Sequence, residues 1–92
     1  MSAVLALGLI EVRGFVAAIA AADAATKAAD IVVEGLELTR GGGLVLVKIR
    51  GEVGAVQAAV EAATAVALKV TTIATSHVIP RPHEELVGQV IK

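Results

Sequence analysis

Leu9-Ile10-Glu11-Val12-Arg13-Gly14-Phe15-Val16-Ala17-Ala18-Ile19 is echoed later in the chain by Leu46-Val47-Lys48-Ile49-Arg50-Gly51-Glu52-Val53-Gly54-Ala55-Val56. Each copy passes from an apolar run through Arg-Gly into a segment with helical spacing. Such a passage reads as a strand, a glycine-containing turn and a helix. Two of these units in 92 residues predict one α/β domain, with strands and helices in the order βαββαβ.

Working outward, the first strand covers roughly Val4 to Val12 and the first helix roughly Phe15 to Ala29. On that helix the bulky Phe15, Val16 and Ile19 share one face at three- and four-residue spacing. Asp23, Lys27 and Asp30 share another. Alanine fills the remainder, which favours the helix and lets it lie close to a sheet or a neighbour. Ile31 to Leu38 reads as the second strand and Leu44 to Arg50 as the third. Thr39-Arg40-Gly41-Gly42-Gly43 is the loop of the hairpin between them. The second helix runs from about Glu52 to Leu68, with Val53, Val56, Val60, Ala63 and Ala67 as its inward stripe. Gln57, Glu61 and Thr64 form a more polar stripe, and Glu52 suits the positive helix terminus. Thr71 to Ile79 is β-branched and reads as the fourth strand. Pro80-Arg81-Pro82 stops it, because neither proline can donate a ladder hydrogen bond. His83 to Ile91 can form a short terminal helix.

Composition points to assembly. Hydrophobic residues make up 57% of the chain and charged residues 18%, against roughly 45–50% and about 25% in an ordinary soluble domain. A domain this small leaves much of its surface wet, so the apolar excess belongs in a membrane or in subunit interfaces. A membrane span needs about 20 consecutive apolar residues. Here Asp23 cuts the stretch from Gly14 to Ala22, and Glu52 and Glu61 bound the stretch from Val53 to Val60. The start lacks the basic region of a signal peptide, so the expectation is a cytoplasmic oligomer. The net charge is −1 with the signs interspersed, and Phe15 is the single aromatic residue. Neither feature suits nucleic acid. With no cysteine, thiolate chemistry and cysteine metal sites are excluded.

Several segments together resemble a known family, the single-domain, hexamer-forming shell proteins of bacterial microcompartments. They are Ala6-Leu7-Gly8-Leu9-Ile10-Glu11-Val12-Arg13-Gly14, Ala20-Ala21-Ala22-Asp23-Ala24 with Lys27, Arg50-Gly51-Glu52-Val53-Gly54-Ala55-Val56, and His77-Val78-Ile79-Pro80-Arg81-Pro82-His83. The resemblance spans nearly the whole chain, as one domain over residues 1–92 with a core of about 4–83 and a tail of 84–92. It implies a ferredoxin-like fold, with an antiparallel four-stranded sheet, two main helices and a short C-terminal one. It also implies six-fold rings that tile edge to edge, each with a central pore for metabolites. By resemblance, Lys27, Asp30 and Arg81 are edge contacts, and Thr39, Arg40, Gly41, Gly42 and Gly43 are the pore loop. That loop is one residue longer than the family's common Gly-polar-Gly turn. Partners implied are further copies, other shell proteins and encapsulated enzymes. Carboxysomes and catabolic compartments both use such tiles, and the Pro80-Arg81-Pro82-His83 ending looks catabolic.

Read without the resemblance, the same residues have plainer roles. The three glycines are a flexible hairpin turn, since no Gly-Lys-Ser/Thr ending makes them a phosphate cradle. Arg40 faces a ring axis, where six guanidinium groups attract anions, or bends toward solvent or Glu37. Lys27 either pairs with Asp23 in the favourable i, i+4 order or reaches an edge. His77 and His83 with Glu84 or Glu85 match no zinc spacing. Ser76 and His77, adjacent on a strand, point to opposite faces. No carboxylate couple or cofactor motif is present. The expectation is a structural protein without cofactor. The alternative is an oligomeric regulatory domain of the same fold binding a small molecule, and a degenerate enzyme subunit has least in its favour.

Overall fold

The computed structural model describes residues 5–39, 41–72 and 74–92. Along it run β1 (Ala6–Arg13), α1 (Phe15–Ala28), β2 (Val32–Leu38), β3 (Leu44–Gly51), α2 (Val53–Ala67), β4 (Ala74–Ile79) and α3 (Glu84–Val90). The sheet order is β2-β3-β1-β4, and every neighbouring pair is antiparallel. Each strand–helix–strand unit therefore leaves a gap that a strand of the other unit fills. The element order is the βαββαβ plan that the echo predicts, and the interlocked antiparallel sheet is the ferredoxin-like fold that the resemblance implies. Val4 and Arg40 lie outside the described residues.

Alternation decides the faces. Ala6, Ile10 and Val12 of β1 join Val45, Val47 and Ile49 of β3 beneath the two long helices. From α2 come Val56, Ala59, Val60, Ala63 and Ala67, close to the predicted stripe, with Val53 half-buried. From α1 come Ala17, Ala18, Ala21 and Ala25. Phe15, Val16 and Ile19 instead lie on its exposed side. The reason is space: methyl-sized side chains let α1 settle against α2 and the sheet, so the large residues point away. Gly8 works the same way. A Cβ there would stand 2.6 Å from Ile49 Cγ1 and 2.8 Å from Val56 Cγ1.

Two ends differ from expectation. The fourth strand runs from Ala74, and Thr71 and Thr72 lie outside it, because the exit of α2 still holds the backbone there. Val70 and Thr71 both donate backbone N–H groups to the Ala67 carbonyl oxygen, at 3.0 and 2.9 Å. Glu52 is the residue before α2, its N-cap, without a capping side-chain bond. The described residues form a slab of 40 × 26 × 15 Å.

Candidate functional site

The strand register divides the slab into two ends. Arg13 pairs with Leu44 at one, and Ala6 with Gly51, Leu7 with Ile79 and Val32 with Arg50 at the other. The β2–β3 loop lies at the first. Its closure starts at Thr39, whose N–H and hydroxyl both donate to the Leu44 carbonyl oxygen, at 3.0 and 3.1 Å. Gly41, Gly42 and Gly43 then carry φ of +79°, +67° and +73°. Three successive left-handed residues are open to glycine and strained for anything with a Cβ. A further bond ties it to the body: the Gly14 N–H donates to the Gly43 carbonyl oxygen at 2.8 Å.

One residue that the sequence reading passed over stands beside this loop. Arg13 is exposed, and its Nη2 lies 3.5 Å from the point a Cβ would occupy on Gly42. The Arg-Gly echo contained it, but nothing in its spacing separated it from Arg50. Arg40, the singled-out cation, lies outside the described residues. Glu37, offered as a partner for it, is engaged elsewhere, on the Lys48 ammonium. That hydrogen bond, with the charge behind it, holds the Glu37 carboxyl below the usual glutamate range.

Lys27 and Asp30, beside β2, and Arg81, beside β4, lie at the opposite end on the two outer sides of the sheet. α1 leaves β1 at Gly14 beside the loop and carries the chain back to Val32, placing Lys27 and Asp30 there. Arg81 follows two residues after Ile79, at the end of β4. All three are exposed. Lys27 meets Asp23 at 2.9 Å, with side chains 75% and 57% exposed, so within one chain the i, i+4 pair forms. His83 is the N-cap of α3, its Nδ1 accepting from the Glu85 N–H at 3.1 Å. Among the described residues no group of three His, Asp or Glu side chains gathers as a metal site requires. No described helix is long and apolar enough to cross a membrane.

The two sides of the slab are unlike. On the β2 side, where α1 covers the sheet, Phe15, Val16, Ile19, Leu36 and Leu38 are exposed. On the β4 side, Val60, Ala65, Leu68 and Val78 line a largely apolar groove of about 500 Å³ with Gln57, Glu61, Thr64 and Ser76 at its walls. Thr64 Oγ1 is buried there without a hydrogen-bond partner.

Comparison with known proteins places this arrangement. The chain is 49% identical over 81 residues to the bacterial microcompartment shell protein PduA of Citrobacter freundii, covering 88% of this chain and 86% of that one. It is 51% identical over 83 residues to the carboxysome shell protein CsoS1 of Prochlorococcus marinus, covering 89% and 80%. Among solved structures, a microcompartment protein from Desulfitobacterium hafniense superposes with a TM-score of 0.81 at 31% identity, over 94% of this chain. This chain spans about half of that protein, 48% of its length. The BMC domain profile matches residues 6–82. The chain belongs to the BMC domain family, the family of the microcompartment shell proteins it resembles.

Proposed function

We propose that this protein is a structural tile of a bacterial microcompartment shell, working as a six-membered ring with the β2–β3 loop around its axis. The observation that carries this reading is the placement of the two residue sets at opposite ends of the slab. Thr39, Gly41, Gly42 and Gly43 occupy one end, and Lys27, Asp30 and Arg81 the other. A ring that turns the first end inward presents the second at its rim, free for contact with the next ring. The sides between them support closure. An apolar flank on β2 and α1 and an apolar groove on β4 and α2 are different surfaces. Unlike surfaces join head to tail and close into a ring when the rotation allows.

In this reading the loop, with Arg40 beside its glycines, sets which small metabolites pass between the bacterial cytoplasm and the enclosed enzymes. The protein itself performs no reaction. Further copies and other shell proteins are its partners, and encapsulated enzymes lie behind it. Similarity to PduA and to a carboxysome protein is nearly equal, so a catabolic compartment rests on the Pro80–His83 ending alone. Every relative described above is a shell or microcompartment protein, and no observation favours a ligand-binding regulator.

Native mass spectrometry and electron microscopy test the reading together. The expected result is a hexamer that, when concentrated, forms sheets or tubes with a hexagonal repeat. Lys27→Ala leaves the rings intact and weakens the sheets. A stable single subunit at high micromolar concentration overturns the ring, and loss of the hexamer in Lys27→Ala overturns the rim assignment.

A further inference from the structure

The last segment of the chain crosses the sheet face that α1 and α2 leave uncovered. Lys48 stands on that face, opposite Leu9 of β1, and its ammonium donates to the Val90 carbonyl oxygen at 2.7 Å. Leu7 shares the face; it is fully buried, yet it stands apart from the core between the sheet and the two long helices. α3 itself is weakly built. It has seven residues, none of them buried, and Gly88 stands inside it. A free helix of that length does not persist in water, so this one depends on what holds its ends. At the C-terminal end the tether is Lys48. At the N-terminal end it is His83, whose Nδ1 accepts from the Glu85 N–H at 3.1 Å.

We infer that α3 is a pH-sensitive strap with His83 as its trigger, docked while the imidazole is neutral and released from the folded domain when it is protonated. An imidazole accepts at Nδ1 only while that nitrogen carries no proton. Protonation turns the acceptor into a donor, frees the Glu85 N–H and sets a positive charge at the positive end of the helix. Serine or asparagine would cap the same N–H without regard to pH; histidine makes the cap conditional, because it changes charge between about pH 5 and 8. Docking is therefore favoured above that range and weakened as pH falls through it. Glu84 and Glu85 in the first turn favour the cation and oppose release. Arg81, which lines one hollow with Pro82, His83 and Glu84, favours the neutral ring. From the sheet, the titratable groups on the face that α3 crosses are Glu11, Glu37, Lys48 and His77. Glu37 is held below the usual glutamate range by the Lys48 hydrogen bond and charge, so it stays ionised while His83 titrates and the far tether does not change. The switch needs this chain alone, whereas its consequence rests on the ring reading. In a ring with the glycine loop at its axis, α1 and α2 form one broad face of the layer and α3 lies on the other. Acid then uncovers Leu7 and Lys48 on one face only and leaves Lys27 and Asp30 at the rim as they were.

The test is amide hydrogen exchange of the full chain at about pH 7.5 and about pH 5.5, either side of the imidazole range, with protection taken relative to the intrinsic exchange rate at each pH. Wild type is expected to lose about fivefold of its protection in α3 at the lower pH, the effect of one helix cap, while β1 and β3 keep theirs. His83→Asn supplies a cap that does not titrate and holds α3 equally at both. His83→Ala lacks the cap at both and matches acidified wild type. His77→Gln, which removes the other histidine, behaves as wild type. Unchanged wild-type protection, or an equal fall in His83→Asn, overturns the inference. A fall abolished by His77→Gln assigns the trigger to the sheet and overturns it too, and a fall shared by β1 and β3 shows that the whole domain opens. Native mass spectrometry of the same samples separates the two readings: absence of a hexamer removes the one-faced consequence, whereas a hexamer whose α3 ignores pH removes the switch alone.

Discussion

The Lys48 ammonium donates to the Val90 carbonyl oxygen at 2.7 Å, joining the middle of β3 to the last turn of α3. Lys48 lies on the sheet face that α1 and α2 do not cover and is only 8% exposed. No residue of α3 is buried, so little apolar burial holds the helix in place. The ammonium also caps an otherwise unsatisfied helix-end carbonyl, where positive charge is favourable. Lys48→Met is therefore expected to separate two effects. Removing Lys48 alone leaves the half-exposed Glu37 carboxylate without its partner, so the urea midpoint falls modestly, as it does for Glu37→Gln. Amide exchange in α3 rises toward that of a free peptide, while β1 and β3 keep their protection. Unchanged exchange in α3 would show that other contacts hold the helix.

Glu37 completes the same junction and makes it sensitive to acid. Its folded-state carboxyl is held below the usual range, first by the Lys48 hydrogen bond and then by the Lys48 charge. A group depressed in the folded state contributes stability that is present above its unfolded pKa, about 4.3 for glutamate. That contribution is lost as pH falls through the lower, folded value. Wild type is therefore expected to exceed Glu37→Gln in stability at neutral pH, with the difference shrinking below about pH 4.3. Urea midpoints for both proteins across this range, at one protein concentration, measure it. A difference constant down to strong acid would show that the charge on Glu37 is irrelevant.

Among the glycines, Gly8 has the least room for a side chain. A Cβ at this position would press on Ile49 Cγ1 and Val56 Cγ1, which belong to two buried, β-branched neighbours with few rotamers to move into. Gly8→Ala is expected to cost about 1–3 kcal/mol by overpacking. In a domain this small each kcal/mol lowers Tm by roughly 4–8 °C. Val56→Ala removes one of the contacted atoms, so the double variant should lose less than the two single costs added. Strict additivity would place the strain elsewhere.

How far the chain could be read in advance follows from what each residue had to reveal. The two Arg-Gly echoes carried the strand–helix–strand order because alternation and helical spacing are local. The faces were harder. On α1 size suggested a unit of Phe15, Val16 and Ile19, while the buried side belongs to alanines, and only the closeness of α2 decides that. In β2 a bulge between Val33 and Gly35 shifts the register by one. After it Leu36 and Leu38 lie opposite Val47 and Val45 on the helix-covered face, and Glu37 turns to the face of Lys48. Gly35, inside the strand at the bulge, was the signal for it that the reading passed over. The glycine turn was legible from Gly41, Gly42 and Gly43 themselves, whereas the edge roles of Lys27, Asp30 and Arg81 rest on family likeness alone. The place of Arg13 beside Gly42 was not legible, because what separates it from Arg50 is that Arg50 donates to the Ala6 and Leu5 carbonyl oxygens.

Val16 offers the sharpest separation of folding from assembly. It is 76% exposed in the second helical position of α1, on the flank that includes Phe15 and Ile19. The first turn of α1 has no acidic residue, although its N-terminus favours one. Val16→Glu should therefore stabilise an isolated subunit slightly, by about 0.3–1 kcal/mol from the helix dipole with a further small gain in helix propensity. If this flank packs into a neighbour's apolar groove, the same carboxylate is stripped of water without a partner, and the ring is lost. The two effects have opposite signs, so they cannot be confused. Sedimentation is expected to show a single subunit whose circular dichroism is native. A hexamer of unchanged mass would mean that the β2 and α1 flank faces solvent in the assembly and that another surface closes the ring.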